Sequence, residues 1–511
     1  MPENRLRMWL DQREFFISAE LVLGRDHVVP DAEAFVRDAA RESGGIKIIS
    51  LTDLPGGNPA LPPEAFASFV LDHGLTPLAH LSGKDGNRAF LESRLHALAR
   101  AGIENLLALT GDAPKSGFLG EAKPVFDLDS VLLIGLITAM SAGIEYTLGT
   151  RVVRSTPFEF LAGAVVNPYK IREPDQMMQF YKLQLKVAAG ARFVIPQLGF
   201  NLRKLYELKQ YMTREGLDDV PLVANVYLPT ATIARKMKEG EVAGCVIPES
   251  FIERLEKEKK PERIERAALM VAAARDLGFA GAHIGGFRLL HADCMTIRDR
   301  ALEIGGDWRR KIEELIFPYP GEYYLFPLGE DGLSDGSREY QSDVLPRHSR
   351  LQRLTMAVHH HLVAEDSFCA RFLAARLGVA GHAAVSESWR HGFWYGLLGA
   401  ATLYRQAVLG CVRCGDCIQD HLCYTGCTMR WCHKGLRNGP CGGSRVDGSC
   451  EAHPDLPCMW NRIYLGALAV QEDPARFAHD WIPPRDWRLE HTNALANRLA
   501  GVDNYPRRQR I

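Results

Sequence analysis

The sequence predicts an α/β chain: a (β/α)8 TIM barrel followed by a smaller, mainly helical and loop-rich, cysteine-rich domain. Three observations carry that prediction. Eight short apolar runs alternate with segments of helical spacing. Polar residues stand at the ends of those runs. Nine of the twelve cysteines lie between Cys411 and Cys458, leaving only Cys245, Cys294 and Cys369 before them.

The apolar runs are Phe15–Glu20, Ile46–Thr52, Thr76–His80, Asn105–Thr110, Phe160–Val166, Phe193–Gln197, Leu222–Val226 and Ala280–Ile284. Helical spacing falls between most of them, at Pro63–His73, Arg88–Ala101, Asp175–Ala189, Leu202–Glu215 and Pro261–Leu277. Eight strands with intervening helices over about 270 residues match a parallel barrel. A doubly wound open sheet is the competing architecture, and it calls for a glycine-rich phosphate turn after the first strand. The chain there reads Leu21-Val22-Leu23-Gly24-Arg25, which is no such turn.

Seven of the runs end in or run into a polar residue: Glu20, Thr52, His80, Thr110 (followed by Gly111 and Asp112), Asn167, Gln197 and Asn225. Barrel active sites form at the carboxyl ends of the strands, so these groups would share one mouth. Any one of them alone reads equally well as the start of a loop.

A chain of 511 residues exceeds one ordinary core and implies two or three domains. The expected boundaries are 1–306 for the barrel, 307–470 for the cysteine-rich domain with its ligand cluster at 411–458, and 471–511 for an extended tail. A net charge of −1 gives no electrostatic case for nucleic acid or acidic membranes. Residues 1–11 lack the apolar run of a signal peptide, and no stretch approaches the roughly 20 apolar residues of a spanning helix. A cytoplasmic protein is expected, and there clustered cysteines bind metal rather than form disulfides.

The run Cys411-Val412-Arg413-Cys414-Gly415-Asp416-Cys417 is a CxxCxxC, followed by Cys423, Cys427, Cys432, Cys441, Cys450 and Cys458. Zinc usually takes paired CxxC knuckles. Three cysteines spaced by two resemble iron–sulfur ligation, in which a more distant cysteine completes the set. Nine cysteines could serve two four-cysteine sites with one left over, and the spacing leaves the fourth ligands open. His359, His360 and His361 sit in a helix-like stretch. Neighbours on a helix point about 100° apart, so the three cannot share one metal, and a surface or packing role is expected.

Several segments resemble the methylenetetrahydrofolate reductase family over roughly residues 10–300. They are Ser18-Ala19-Glu20, the run Gly102 to Asp112, Gly163-Ala164-Val165-Val166-Asn167-Pro168, Lys186 to Ala191 leading to Gln197, and Cys245-Val246-Ile247-Pro248. That resemblance implies flavin-dependent reduction of 5,10-methylenetetrahydrofolate to 5-methyltetrahydrofolate, or its reverse. It places Glu20 as general acid, Asp112 beside flavin and pterin, and Gln197 at the folate. Thr52, His80, Thr110, Gly111, Asn167 and Lys186 fall at flavin positions, with FAD ahead of FMN. A nicotinamide nucleotide or a redox protein would donate electrons, and a homo-oligomer is compatible with the pattern. The chain departs from the family at Leu21-Val22, where two prolines are common, at Gly163, and at Leu185, an arginine in some members.

Asn438-Gly439-Pro440-Cys441-Gly442-Gly443 and Cys458-Met459-Trp460 resemble the cysteine-rich C-terminal domain associated with the same family, over roughly residues 320–470. There the nine cysteines would hold [4Fe–4S] clusters, with zinc as the alternative. The residue types suit the chemistry. Opening the methylene bridge needs a proton on the departing nitrogen, which a carboxyl raised by partial burial can supply. A nearby carboxylate such as Asp112 can stabilise the iminium. A flavin-free, tetrahydrofolate-dependent methyltransferase and a folate- or flavin-binding electron-transfer subunit are the alternative readings.

Overall fold

Each barrel strand is a short β-rich run that buries one face inside the cylinder and the other under helices, so it reads as nearly continuous apolar sequence. In the computed structural model, residues 4–25, 28–42, 44–344, 349–363, 368–369, 372 and 393–504 are described. The barrel strands are β1 Phe16–Leu21, β2 Ile48–Leu51, β3 Thr76–Ser82, β4 Asn105–Leu109, β5 Leu161–Val166, β6 Phe193–Pro196, β7 Val223–Leu228 and β8 Gly281–Gly286. All seven pairings of the sheet are parallel and run in chain order from β1 to β6, with β8 and then β7 on the other side of β1. A parallel bridge from Val194 to Leu222 joins β6 to β7 and closes the ring. The Asn225 amide reinforces that closure by donating to Pro196 O at 3.0 Å.

Side chains two apart on each strand share a face, and the inward ones form a floor and a mouth. Phe16, Ile48, Leu78, Leu107, Leu161, Phe193 and Val223 make one buried apolar cluster with Leu6 and Leu10. Those two leucines come from a helix at Arg5–Gln12, capped by Asn4, whose side chain accepts from Arg7 N. Gly163 is required by this packing. A Cβ there would lie 2.3 Å from the Phe193 ring, so the small residue on β5 makes room for the large one on β6.

A helix at Ser130–Ala142, apolar nearly all round, follows β4, and an exposed hairpin of Glu145–Leu148 and Arg151–Arg154 precedes β5. The sequence reading had neither, because a helix without a polar stripe has no legible period.

By contact the chain divides into two units, Met1–Asp343 with Cys441–Asp447, and Val344–Pro440 with Gly448–Ile511. The first unit therefore extends past the expected boundary at 306. Backbone bonds explain why: Leu202 N donates to Leu315 O, Phe317 N to Phe200 O and Tyr323 N to Ile171 O. Among the described residues of the second unit the longer helices are Arg350–Val363, Phe393–Leu409 and Met459–Ala469, with much of the remainder in turns. The expected extended tail is instead folded there, with a helix at Ala494–Ala500; residues 505–511 lie outside the described part. Of the histidine triple, His361 is exposed on its helix, and the side chains of the other two lie outside the described part.

Candidate active site and cysteine cavity

Glu20 is the penultimate residue of β1 and points to the carboxyl end of the barrel. Two residues earlier on the same face, Ser18 Oγ bonds His283 Nδ1 at 2.9 Å, and His283 Nε2 lies 3.5 Å from Glu20 Oε2. β1 and β8 pair with Ser18 opposite His283, which sets this Ser18–His283–Glu20 chain. On the other side of β1, Ser50 Oγ and His80 Nε2 are 2.8 Å apart. Tyr227 of β7 also faces Glu20: a Cβ on Gly285 would meet the Tyr227 ring at 3.0 Å and Glu20 Oε1 at 3.6 Å. Burial first, and then the Glu20 charge, push the Tyr227 phenol well above its ordinary range.

Burial would raise the Glu20 carboxyl. The hydrogen bond from His283, then the charges of His283 and His80, outweigh it and hold Glu20 below the ordinary carboxyl range. The sequence reading expected a raised value; it did not include His283 as a partner. His80 is pulled down to about 4, by burial first, with Glu20 and Asp53 opposing, so this ring is neutral near pH 7.

Thr52, His80 and Thr110 are buried around the same rim. Thr52 Oγ1 accepts from Leu23 N at 2.9 Å, and Thr110 Oγ1 from Ser130 N at 3.3 Å. Gly111 follows with φ +87°, a conformation that favours glycine, and turns the chain into half-buried Asp112. Across the mouth, the Asn167 amide donates to Gly244 O at 2.7 Å and Gly442 O at 3.4 Å, and the Gln197 amide to Ala243 O at 3.4 Å. Lys170 Nζ donates to Ser444 O at 2.7 Å. Thus the short Cys441–Asp447 segment is bound at the ends of β5 and its following helix.

Lys186 donates to Val165 O. Burial first, then Lys182, pull its amine down to about 7, while Asp129 and Cys441 pull the other way. An anionic group beside it would restore its charge. Among the described residues, buried Ser82 Oγ and Gln179 Nε2 find no hydrogen-bond partner. The buried Lys186 amine suits a ligand bearing a phosphate, although the Asn167 and Gln197 amides are engaged by polypeptide. Sequence reasoning missed Ser18, His283 and Tyr227 as site residues. Ser18 and His283 lay inside the apolar runs, and Tyr227 one residue past the expected end of its strand.

The second unit gathers four cysteines by a tight loop. Arg413 and Gly415 adopt φ +56° and +75°, curling the CxxCxxC so that its three thiols share one side. At Gly415 a Cβ would fall 1.8 Å from Leu489 O, so no other residue fits. Cys411, Cys414, Cys417 and Cys427 line one small cavity of about 20 Å³. Burial first, and then Cys414, Cys417 and Cys411, push the Cys427 thiol up to about 12. Arg413 N donates to Cys411 Sγ at 3.4 Å. The tail braces the loop: His491 N bonds Arg413 O at 2.8 Å and the Asn497 amide bonds Gly415 O at 2.7 Å.

Cys423 is set apart, with Arg476, Glu472, Asp420 and Asp480 as its charged neighbours. Cys432 has Cys450 and Lys434 nearby. Among the described residues, no group of three or more His, Cys, Asp or Glu side chains is gathered as a single metal ion requires. Zinc at about 2.3 Å from each sulfur draws four thiolates to within about 4 Å of one another. The four thiols are the donor type that an iron–sulfur cluster takes.

A parallel barrel with its polar residues at the carboxyl rim defines a barrel enzyme scaffold, here joined to a cysteine-rich module. Residues 5–284 match the family model described as methylenetetrahydrofolate reductase, and residues 396–488 match the one described as methylene-tetrahydrofolate reductase C terminal. The chain belongs to the methylenetetrahydrofolate reductase family, a family of oxidoreductases. Methylenetetrahydrofolate reductase 2 of Schizosaccharomyces pombe is 23% identical over 186 residues, which cover 36% of this chain and 28% of that protein. A Clostridium thermocellum protein, described as uncharacterized and as binding two copies of 5-methyl-5,6,7,8-tetrahydrofolic acid, has a TM-score of 0.43 at 12% identity. That match covers 59% of this chain and 99% of that one. No described helix is long and apolar enough to cross a membrane.

Proposed function

We propose that the chain reduces 5,10-methylenetetrahydrofolate to 5-methyltetrahydrofolate, or runs the reverse, and that its C-terminal module holds an iron–sulfur cluster, with zinc as the alternative. The observation that carries this reading is the Ser18–His283–Glu20 chain at the carboxyl end of the barrel. Glu20 delivers the proton to the departing nitrogen as the methylene bridge opens to an iminium. It rests as a carboxylate held by His283. Substrate covering the mouth removes water from that carboxylate and raises its pKa, so that Glu20 takes up a proton from solvent as the substrate binds. Asp112 binds pterin N–H groups and stabilises the cationic iminium, and Gln197 contacts the folate.

A flavin would be held by Thr52, His80, Thr110, Gly111, Asn167 and Lys186, and when bound it supplies the hydride. Lys186 is the residue for its phosphate; Leu185 leaves FMN open beside FAD. Electrons reach the site from a nicotinamide nucleotide or a redox protein in a cytoplasmic setting. Glu20→Gln tests the assignment: folate turnover falls by about 10²- to 10⁴-fold while the protein folds and keeps its flavin. Full turnover by that variant removes Glu20 from the role of acid.

A second reading has one observation in its favour. The Asn167 and Gln197 amides and the Lys186 amine are bonded to backbone carbonyls, which suits a barrel that binds folate for methyl transfer without flavin. An absorbance scan separates the two: active protein with no flavin bands is the transferase.

A further inference from the structure

Resting on the reading of the mouth above, we infer that residues 239–248 are a lid latched over the barrel mouth. Lys115 is its outer latch, and Asn167 and Gln197 hold it shut until a ligand takes their amides. Loop placement is the first argument. The segment joins helices at Ala231–Lys238 and Glu249–Lys257, between β7 and β8. Exposed Lys115, on the loop after β4, donates from Nζ to Glu241 O at 2.8 Å. Its backbone N donates to Gly57 O, on the loop after β2, at 2.9 Å. Loops rooted on β2, β4 and β7 stand around the ring, so they meet above its opening.

Occupied amides are the second. Asn167 Nδ2 directs its hydrogens at Gly244 O, 2.7 Å away, and Gly442 O, 3.4 Å away, while its Oδ1 accepts from Tyr169 N at 3.0 Å. Gln197 Nε2 donates to Ala243 O at 3.4 Å, and its Oε1 accepts from Leu198 N at 2.9 Å. The proposed flavin and folate need these same donors, so lid and ligand exclude one another there. The lid is also built to move. Gly240 and Gly244, with φ +87° and +75°, bracket an exposed tip at Glu241 and Val242. Its roots are fixed: Gly240 N bonds Met237 O at 3.0 Å, and Ile247 is buried in one apolar cluster with Phe200 and Phe251. Hydrogen bonds on an exposed loop contribute little each, so shut and open states differ by a free energy that a ligand can overturn. A shut lid cannot bind, and the apparent affinity is the intrinsic affinity scaled by the open fraction. Removing a latch therefore tightens binding.

The test uses the full chain, with FMN and 5-methyltetrahydrofolate as separate probes in titration calorimetry. Lys115→Met should bind both more tightly, by about two- to tenfold, the span that one lost hydrogen bond gives. Lys115→Arg should match wild type. A second measurement needs no ligand. Cys245 is half-buried beside Gly244, and its alkylation by N-ethylmaleimide, read by peptide mass spectrometry, should speed up by the same factor in Lys115→Met. Weaker FMN binding by Lys115→Met makes Lys115 a phosphate contact and overturns the latch, as does unchanged binding of both probes. An alkylation rate that Lys115→Met leaves unmoved overturns the lid. Wild-type protein that binds neither probe sinks the reading of the mouth, and the alkylation rate then decides the lid alone.

Discussion

The barrel mouth and the cysteine cavity are built in opposite ways. At the mouth, functional side chains stand on strands above an apolar floor, and most already have partners: Ser18 with His283, Ser50 with His80, Thr110 with Ser130. Around the cavity, the side chains stand on turns held by a tail, and polar atoms of Arg437, Asp416 and Gln419 are buried without hydrogen-bond partners among the described residues. On the metal reading proposed above, the difference separates a site that folds by itself from one that would need its ligand to fold. A core of strands buries enough apolar surface to stand alone, whereas a loop-rich module gains its folding free energy from what it binds.

The sharpest way to break that comparison is metal removal. A chelator under reducing conditions should unfold the second unit and leave the barrel intact, a loss on the order of 10 kcal/mol by analogy with small metal modules. Two separate transitions in a thermal melt, only one of them chelator-sensitive, are the expected record. A single unchanged transition means the module folds by packing alone.

Glu20→Gln probes the mouth from the other direction. Turnover should fall by about 10²- to 10⁴-fold with the barrel melting temperature hardly altered, because Glu20 is at the rim and its side chain is 21% exposed. A large drop in melting temperature would mean that the Glu20–His283 pair is structural.

Overpacking the floor sharpens the contrast. Gly163→Val pushes into the Phe193 ring and should destabilise the barrel by about 1–3 kcal/mol, leaving the chelator-sensitive transition where it was. Denaturant titration with a barrel fluorescence probe measures it.

The smallest effect is in pH. With Lys186 pulled down to about 7, a bound phosphate raises its pKa, so binding takes up a proton between the two values. Affinity for FMN, followed by fluorescence, should be flat below pH 7 and weaken above it by up to about tenfold per unit. Affinity that rises with pH, or stays level, removes Lys186 from the phosphate.

Much of this was legible in the chain. The eight runs, the order of Glu20, Thr52, His80, Thr110, Asn167 and Gln197, and the family membership all follow from local pattern, because strand period and strand-end polarity are properties of neighbouring residues. Strand ends were misplaced by one or two residues, which hid Tyr227. His283 was passed over because a histidine between Ala282 and Ile284 looks like core until its register against Ser18 is known.

What the sequence by itself determined is the alternation that makes a barrel, the residues on its rim, and the concentration of cysteines in one segment. Only the tertiary structure decided that His283 pulls Glu20 down, that Cys441–Asp447 belongs to the barrel unit, and that Cys427 lines one cavity with the CxxCxxC. These are facts of position between residues far apart in the chain. Periodicity records which way a side chain faces, but only the folded backbone sets which distant group it meets.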